Sequence, residues 1–443
     1  MSADGAILSL NAIGPQDKFL DGTERLFTDQ FTHPTKAAIG QRFVPLPGST
    51  FIGQRITIEL KPKEFGDLIS NMHLKCTLPG LPINPTFFHP YGYTDQIGRA
   101  ILKSVELYAD GQLIQQLTDD WYIIRDQLFL DADEKTAMNS CINGGAVLLS
   151  NATAVSTVCN SNIDMIIPLD FFFCRRHSHF KKNHERLDKP YLPFCAMYNQ
   201  KVYVVIEFNQ WSWFSNYPTA LDFVGTPQLI MEEVYLSDPE RSYYMSQKHE
   251  FQVNKVKKES ILPVNDGTNS QFRLPLTAAF PVTLLMWFVR KRSYENDPRY
   301  YDARYNFGYT TDFISSSINY RYFNGLSSKF VDILKSAQIT LNGTDILSSY
   351  ATGIYFSFKV PLDAGLTVPL KNMYMYSFGL NPKEYNQGGF IDFSKLKSQL
   401  TTLTLTFNPD YAVEINQLYS MYVYYYGYTT LTIESGYARI ADI

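Results

Sequence analysis

The feature that most constrains the fold is a strand-and-turn pattern that occurs twice, nearly half of the 443-residue chain apart. Residues 102–114 read LKSVELYADGQLI, and residues 334–346 read LKSAQITLNGTDI. Each copy begins with Leu-Lys-Ser and carries a turn dipeptide at the same place, Asp110-Gly111 in the first copy and Asn342-Gly343 in the second. Asp-Gly and Asn-Gly favour tight two-residue hairpin turns, because both turn positions need a positive φ. The repeat therefore predicts a duplicated β domain of about 200 residues.

Alternating apolar and polar residues predict β-strands in both halves of the chain. In NMHLKCTLP (71–79), Met, Leu, Cys and Leu alternate with His, Lys and Thr, as expected for a strand with one face in water. KVYVVIEF (201–208) and TTLTLTFNP (401–409) show the same pattern. Pro and Gly separate such segments, as in FVPLPGST and NPKEYNQGG, and these residues favour turns.

Helical segments are predicted to be few and short, near residues 119–128, 238–247 and 393–400. Aromatic residues make up 15% of the chain, with 31 Tyr and 31 Phe. These residue types favour pleated, half-buried surfaces and large protein contacts. Many short strands with few helices predict an all-β fold, built as a sandwich or a barrel.

The chain is predicted to contain two β domains that follow an N-terminal arm. The arm covers residues 1–28, the first domain 29–237, a short connection 238–246 and the second domain 247–443. The connection is compact and is not a Gly/Ser tether, so we expect the two domains to pack rigidly side by side. The arm has no core of its own and is expected to become ordered only on assembly.

Two long segments lack a clear periodic pattern. Residues 131–162 are mostly small and polar, and residues 291–326 are rich in Tyr, Asn and Ser. Irregular segments of this length are uncommon within a compact domain and usually have a function or are mobile. Because one falls in each half, we expect two elaborated loops at the same end of the two sandwiches. The Tyr-rich segment could stack on sugar rings, but Tyr also concentrates binding energy at subunit contacts, which is the preferred interpretation.

The balance of charge argues against direct binding of nucleic acid. Lys and Arg total 39, and Asp and Glu total 43, which gives a formal net charge of −4. A protein that wraps DNA normally carries an excess of basic residues, since the neutralisation of phosphates drives such binding. If DNA lies nearby, we expect this chain to enclose it without specific nucleic-acid binding.

Cysteine usage and the N-terminus indicate a chain made in a reducing compartment. The five cysteines are odd in number and show no CxxC spacing, which fits reduced thiols better than a disulfide framework. The N-terminus lacks a basic segment followed by an apolar one, and no run approaches the roughly 18 apolar residues of a membrane span. We therefore expect neither a secretory signal nor insertion into a membrane.

Seven segments, in order along the chain, carry a family resemblance. They are QDKFL…RLFTDQFTHPTKAA (16–38), IGRAILKSVELYADGQLIQQLTDDWYIIRDQL (97–128), IIPLDFFFCRR (166–176), LPFCAMYNQKVYVVIEF (192–208), LKSAQITLNGTDIL (334–347), MYMYSFGLNPKEYNQGGFIDFSKL (373–396) and YGYTTLTIESGYARI (426–440). Together they resemble the double jelly-roll major capsid proteins of nucleocytoplasmic large DNA viruses, or of a related virophage or Polinton-like lineage. Gln387-Gly388-Gly389 and Ala279-Phe280-Pro281 depart from the usual pattern of that family.

The resemblance implies a fold of two tandem eight-stranded jelly rolls packed side by side, with short helices and long loops. It also implies a structural role, in which a homotrimer forms a pseudo-hexameric capsomer that tiles an icosahedral virion capsid around double-stranded DNA. The expected partners are neighbouring capsomers and minor capsid, cement and penton proteins, with synthesis and assembly in the host cytoplasm. An internal membrane beneath the shell is compatible with this role, without insertion of the chain into it.

The segment CRRHSHFKKNHER (174–186) is the most evident candidate for a metal site. Its histidines and its cysteine are ligand types that zinc accepts, but no second Cys/His pair has ligand spacing, and the basic residues nearby would oppose a cation. We therefore predict no metal and interpret the segment as a solvated basic contact loop that could face phosphate or an acidic protein. The basic residues of this loop are Arg175, Arg176, Lys181, Lys182 and Arg186.

No motif of a known catalytic centre occurs in the chain, so the sequence predicts neither an enzyme nor a cofactor site. The GxSxG, Walker and HExxH patterns are absent. Adjacent acidic residues such as Asp119 and Asp120 would face opposite ways on a strand, which does not favour paired acid–base chemistry. Asn151 lies in a formal Asn-Ala-Thr glycosylation sequence, whereas the similar sequence at Asn342 coincides with a predicted hairpin turn.

Two alternative functions remain open at this point. The chain could be a carbohydrate-binding β-sandwich protein, which would be a monomer or dimer in solution, whereas a shell protein should form a tight trimer. It could also be a minor capsid protein of the same fold. Its abundance in virions would separate a minor component from the major one.

Overall fold

The computed structural model describes residues 37–48, 51–82, 91–94, 96–143, 161–174, 190–261, 271–292, 295, 305, 334–347, 351–369, 373–380, 382–383, 388–407 and 419–441. Strands dominate these ranges, and they form four sheets, two in each half of the chain. The paired strands of the described ranges are antiparallel throughout, as expected for an all-β sandwich.

The first half forms a five-stranded sheet and a four-stranded sheet that face each other across a core. Its strands are β1 (Ala37–Pro45), β2 (Arg55–Leu60), β3 (Leu68–Leu78), β4 (Leu102–Ala109), β5 (Gln112–Thr118), β6 (Ile163–Pro168), β7 (Leu192–Pro193), β8 (Val202–Phe208) and β9 (Gln228–Leu236). One sheet has the order β1-β9-β3-β6, with the short β7 paired to β3. The other has the order β2-β8-β4-β5.

The second half repeats this arrangement. Its strands are β10 (His249–Ile261), β11 (Gln271–Pro275), β12 (Pro281–Lys291), β13 (Leu334–Leu341), β14 (Thr344–Leu347), β15 (Tyr374–Ser377), β16 (Ile391–Asp392), β17 (Thr402–Phe407), β18 (Tyr419–Glu434) and β19 (Tyr437–Ala441). The sheet orders are β10-β18-β12-β15, with β16 on β12 and β19 on β18, and β11-β17-β13-β14. Strand for strand, these orders equal those of the first half. The described chain is thus a double jelly roll with eight principal strands in each half.

The helices are short and lie at the ends of the sheets. They are α1 (Ile97–Ile101), α2 (Asp119–Leu128), α3 (Ala132–Ile142), α4 (Trp211–Phe214), α5 (Asp238–Ser246), a π-helical turn (Tyr355–Lys359) that continues into α6 (Val360–Asp363), and 3₁₀ turns at Phe194–Met197, Phe393–Lys395 and Ser398–Leu400. None of the helices in the described ranges combines the length and the apolar character that a membrane crossing requires.

Two expectations about helices need correction. Residues 131–162 were expected to be irregular, but α3 occupies the start of that segment. A reciprocal cap explains the helix: the side chain of Glu134 accepts from the backbone N–H of Asp131, and the side chain of Asp131 caps the N–H of Glu134. The helix predicted near 393–400 is instead two separate 3₁₀ turns. The helices predicted near 119–128 and 238–247 are confirmed as α2 and α5.

The two central strands of the sheet β10-β18-β12-β15, β18 and β12, are buried on both faces. Strands β2 and β11 alternate strictly between exposed and buried residues, but β18 is buried at every position over its first nine residues. One face of the sheet, with Trp287 and Tyr425, packs in the core of the second jelly roll. The opposite face, with Met286 and Tyr424, joins the core of the first jelly roll. This double burial explains the unbroken apolar and aromatic run in β18.

Candidate functional site at the junction of the two jelly rolls

The junction forms where α2 of the first half lies against the outward face of the sheet β10-β18-β12-β15. Every residue of α2 except Arg125 is buried, so protein surrounds this helix on all sides. The indole of Trp121 stacks on the ring of Tyr426, with centroids 5.0 Å apart and planes 20° apart. Phe129, just beyond the helix, meets the same Tyr426 ring edge-on at 5.4 Å. Aromatic contacts of this kind add to the free energy of burial and fix the angle of the helix.

Asp120 carries the ionic contact across the junction. Arg290 on β12 donates through Nη2 to Asp120 Oδ1 at 2.5 Å, and Lys258 on β10 donates through Nζ to Oδ2 at 2.7 Å. The hydroxyl of Tyr424 on β18 donates to the same Oδ2 at 3.1 Å. The Asp120 and Arg290 side chains are 1% and 3% exposed, so water does not screen this pair. One carboxylate therefore ties α2 to three strands of the other jelly roll.

Asp119 is buried beside Asp120 but contacts a different set of groups. The hydroxyl of Tyr305 donates to Asp119 Oδ2 at 2.9 Å, and the amide of Asn209 lies 3.4 Å from the same oxygen. The indole N–H of Trp213 donates to the Tyr305 oxygen at 2.5 Å. Among the described residues, the donors that contact the Asp119 carboxylate are neutral, so its negative charge is compensated less well than that of Asp120.

The two carboxyl groups therefore differ in pKa. Burial and the neighbouring charge of Asp120 raise the pKa of Asp119 to about 6. Burial alone would also raise the pKa of Asp120, but the charges of Arg290 and Lys258 outweigh it and hold that pKa below its ordinary value. At neutral pH the junction contains an ionised Asp120, and Asp119 takes up a proton as the pH falls through about 6.

A second buried ionic cluster anchors α2 within the first jelly roll. Arg99 on α1 is fully buried and donates through Nε to Asp126 Oδ2 at 2.9 Å and through Nη2 to Asp170 Oδ2 at 2.7 Å. Its guanidinium carbon also lies 4.5 Å from the centroid of the Tyr122 ring. Burial would lower the pKa of Arg99, but the two carboxylates raise it above its ordinary value. The helix that reaches the second jelly roll is thus held rigidly by the first.

The C-terminal hairpin β18–β19 provides a further clasp between the two halves. Gln200, in the first half, donates through Nε2 to the carbonyl of Ala438 at 3.2 Å and accepts from the backbone N–H of Ala438 at 2.6 Å. Its side-chain amide therefore pairs with β19 as a neighbouring strand would. The turn of the hairpin, Ser435-Gly436, has positive φ at both residues and contacts Asn199 through backbone and side-chain hydrogen bonds.

The four predicted turn residues lie in two equivalent hairpin turns, one in each half. Asp110 and Gly111 join β4 to β5 with φ of 45° and 87°, and Asn342 and Gly343 join β13 to β14 with φ of 53° and 87°. Positive φ at both positions is the geometry of a tight hairpin turn. None of these residues takes part in the hydrogen bonds of Asp119 and Asp120 given above, so they shape the strands and not the junction.

The other predicted sites lie outside the described residues. They comprise Asn151, the basic-loop residues Arg175, Arg176, Lys181, Lys182 and Arg186, the arm 1–28 and most of the segment 291–326. Among the residues that the structure describes, no group of three His, Cys, Asp or Glu side chains is placed to hold a metal ion.

Sequence reasoning did not identify the junction residues. It predicted a helix near 119–128 but weighed the acidic pair Asp119 and Asp120 only for the case of a strand, whereas both are buried in the first turn of α2. One signal was available, because the unbroken aromatic run of β18 indicates a sheet covered on both faces. The cationic partners of Asp120 are 138 and 170 residues away along the chain, so no local pattern could reveal the pairing.

Nearly the whole chain matches known families in two consecutive parts. Residues 26–231 match a family described as major capsid protein N-terminus, and residues 240–438 match a family described as large eukaryotic DNA virus major capsid protein. The two matched parts meet near helix α5, between the two jelly rolls.

Individual relatives are similar over almost their full length. The chain is 23% identical to the major capsid protein of Pyramimonas orientalis virus, over 90% of this chain and 91% of the relative. It is also 23% identical to the major capsid protein of Paramecium bursaria Chlorella virus 1, over 91% of this chain and 87% of the relative. Among solved structures, PBCV-1 VP54 has a TM-score of 0.71 at 20% identity, covering 94% of this chain and 99% of that one. The Faustovirus major capsid protein has a TM-score of 0.61 at 11% identity, covering 97% of each chain, so the whole fold is shared.

Proposed function

This chain belongs to the family of large eukaryotic DNA virus major capsid proteins, and we propose that three copies of it close into a ring that builds an icosahedral capsid. Each copy contributes two jelly rolls with the same strand order, so a ring of three copies contains six similar blocks. Six similar blocks around a threefold axis have a nearly hexagonal outline, which can tile a flat face. Cyclic closure limits growth to three copies, and capsid faces then form by contacts between rings.

The rigid junction is the observation that carries this proposal. Tiling requires the two jelly rolls of one chain to keep a fixed angle, because a hinge would distort the outline of the ring. Three contacts between the two jelly rolls support a fixed angle. They are the hydrogen bonds of Asp120, the stack of Trp121 on Tyr426 and the pairing of Gln200 with β19. Helix α5, which connects the two jelly rolls, is fixed to the first one, since Arg241 donates to both carboxylate oxygens of Asp67 at 2.6 and 3.1 Å.

We also propose that the chain is divided into an arm, two jelly-roll domains and a short connection. We assign the first jelly roll to residues 29–237 and the second to 247–443, joined through 238–246 and preceded by an arm at 1–28. The matched families support this division because they also meet near α5. The turns at Asp110-Gly111 and Asn342-Gly343 are assigned a role in strand geometry, and their positive φ values support it.

We propose that this protein encloses the genome without specific binding of the nucleic acid and without catalysing a reaction on it. Its net charge of −4 gives no electrostatic drive toward phosphate, and its family is structural. The partners that follow are neighbouring rings and minor capsid, cement and penton proteins, with assembly in the host cytoplasm. We assign the basic residues between Arg175 and Arg186 to a contact with an acidic partner protein. We also propose Asn151 as a candidate site of glycosylation.

The first test is the mass of the purified protein, measured by light scattering on a sizing column. We expect three times the chain mass of 50.8 kDa, unchanged on dilution and in moderate salt. Electron microscopy of the particles should then show a ring with a nearly hexagonal outline. A particle of single-chain mass at every concentration and salt level would refute the proposed ring.

A further inference from the structure

A cavity of about 480 Å³ lies where the edge strand β5 of the first jelly roll faces the second jelly roll. Strands β10, β18 and β19 and the two residues before β12 form its other walls. Its lining residues are separate from those that hydrogen bond to Asp119 and Asp120. Cavities of this size between domains are frequent binding sites for small molecules.

Two glutamine side chains of β5 connect the two jelly rolls at this cavity. Gln115 donates through Nε2 to the carbonyl of Asn254 at 3.3 Å, and Gln112 accepts through Oε1 from the backbone N–H of Ile440 at 3.3 Å. Gln115 is held in place from its own jelly roll, since its Oε1 accepts from the backbone N–H of Phe172 at 2.9 Å. In the described ranges, β5 and β10 belong to separate sheets and form no strand ladder with each other. The contact through side chains leaves space between the two strands.

Part of the cavity wall is apolar and comes from both jelly rolls. Ile114 and Phe280 are buried, and Val256 and Ile440 are half-buried. Leu113 lines the same cavity and remains 41% exposed. An apolar group placed against these side chains would remove its own surface and that of Leu113 from water, and this burial favours binding.

The charged part of the lining is cationic. Lys255 and Lys257 line the cavity, and its lining contains neither Asp nor Glu, although the whole chain has a net charge of −4. Lys257 is neutralised by Glu259 at 2.6 Å. The ammonium of Lys255 lies 5.3 Å from the centroid of the Phe280 ring, and among the described residues no carboxylate pairs with it. The cavity therefore combines an apolar wall with a cation that favours a negatively charged group.

We propose that this cavity binds a fatty acid, with the carboxylate at Lys255 and the hydrocarbon chain against Leu113 and Phe280. The side-chain amides of Gln112 and Asn254 line the same cavity and supply further hydrogen-bond donors for the carboxylate. The bound molecule contacts both jelly rolls, so it stabilises their junction in the folded chain. All lining residues belong to one chain, and the site does not depend on the proposed three-copy ring.

The test is isothermal titration calorimetry of the purified full chain with sodium octanoate, at concentrations below those at which octanoate forms micelles. We expect one octanoate to bind per chain. Acetate carries the carboxylate without the hydrocarbon chain, and octanol carries the hydrocarbon chain without the charge. Each of them should bind at least about tenfold more weakly than octanoate, because each makes only one of the two kinds of contact.

Two substitutions address the two parts of the cavity, each with a matched control. Lys255→Gln should weaken octanoate binding about 10- to 100-fold, whereas Lys255→Arg keeps the charge and should retain most of the affinity. Leu113→Trp fills the cavity and should abolish binding. The controls are Lys335→Gln and Ile346→Trp, which lie outside the cavity and should bind octanoate as the wild type does. Ile346 is 41% exposed, like Leu113, and lies on β14, the strand equivalent to β5.

Near-ultraviolet circular dichroism checks the folding of each variant. If Leu113→Trp loses the native spectrum, Leu113→Phe replaces it, and a clear weakening of octanoate binding is expected.

One octanoate per chain, with weaker binding by Lys255→Gln and Leu113→Trp and unchanged binding by both controls, would support the site. Three results would overturn it: a wild type that binds no octanoate, octanol that binds as tightly as octanoate, or wild-type affinity in both cavity variants. The mass of the particle in solution is measured separately, so a trimer that binds no octanoate would leave the proposed ring in place.

Discussion

Replacing Asp120 with asparagine removes the charge at the centre of the junction while it preserves the shape of the side chain. Arg290 would then keep a buried guanidinium without its principal counter-ion, and breaking a buried pair in this way typically costs about 3–5 kcal/mol. Two features lower the expected cost to about 3 kcal/mol. Arg290 Nη1 retains a contact with Glu295 at 3.4 Å, and Lys258 can turn toward water.

The adjacent substitution, Asp119→Asn, should act in the opposite direction at neutral pH. The pKa of Asp119 is raised to about 6, so at pH 7 the folded protein holds a charge that its surroundings disfavour. The folded pKa of Asp119 is about two units above the unfolded value of about 4, and this difference corresponds to roughly 3 kcal/mol in the free energy of unfolding. Weaker hydrogen bonds to a neutral acceptor would offset part of this, so we expect Asp119→Asn to stabilise the protein by about 1–3 kcal/mol at pH 7.

The pH dependence distinguishes the two carboxyl groups. Because the folded pKa of Asp119 lies above the unfolded value of about 4, stability from this group increases as the pH falls from 7 to 4, and Asp119→Asn should flatten that increase. Because the folded pKa of Asp120 lies below its ordinary value, its contribution is present above about pH 4 and is lost as the pH falls further. Asp120→Asn should therefore remove part of the loss of stability in acid.

Urea denaturation at fixed protein concentration, followed by circular dichroism between pH 3 and pH 8, would measure both effects. Fixed concentration is needed because assembly of copies also shifts the apparent stability. The double variant Asp120→Asn with Arg290→Met is a control, since replacement of both partners of a buried pair often costs little. The reasoning would be refuted by an Asp120→Asn variant within about 0.5 kcal/mol of the wild type, or by equal effects of the two asparagine substitutions.

Four further substitutions test the packing of α2, the backbone geometry at two glycines and the contact of Gln200 with β19. Trp121→Ala should cost about 3–5 kcal/mol, because the 2%-exposed indole stacks on Tyr426, and an unchanged urea midpoint would contradict this. Gly111→Val should cost roughly 1–3 kcal/mol from backbone strain alone, since φ is 87° and the added Cβ meets nothing within 4 Å. Gly427→Ala should be far more damaging, because its Cβ would lie 1.8 Å from a carbonyl oxygen, and wild-type yields of both glycine variants would be inconsistent with these assignments. Gln200→Leu should speed proteolysis of the C-terminal hairpin without loss of the overall fold, and an unchanged cleavage rate would count against the clasp.

The fold could be predicted because its signals are local in the sequence. The alternation around Met72, Leu74 and Cys76 is the burial pattern that β3 shows. The paired turn dipeptides indicated the duplication, and the two halves have equal strand order. Helix α3 escaped prediction because it buries only Met138 and Ile142, so its sequence has almost no apolar periodicity.

The candidate site could not be predicted, because its contacts join residues that are distant along the chain. Asp120 meets Arg290 only when two complete jelly rolls have formed and packed. The sequence around Asp120 looks like an ordinary acidic first turn of a helix, which the helix dipole favours with or without a partner. Only the aromatic run of β18 indicated that something covers the outer face of that sheet.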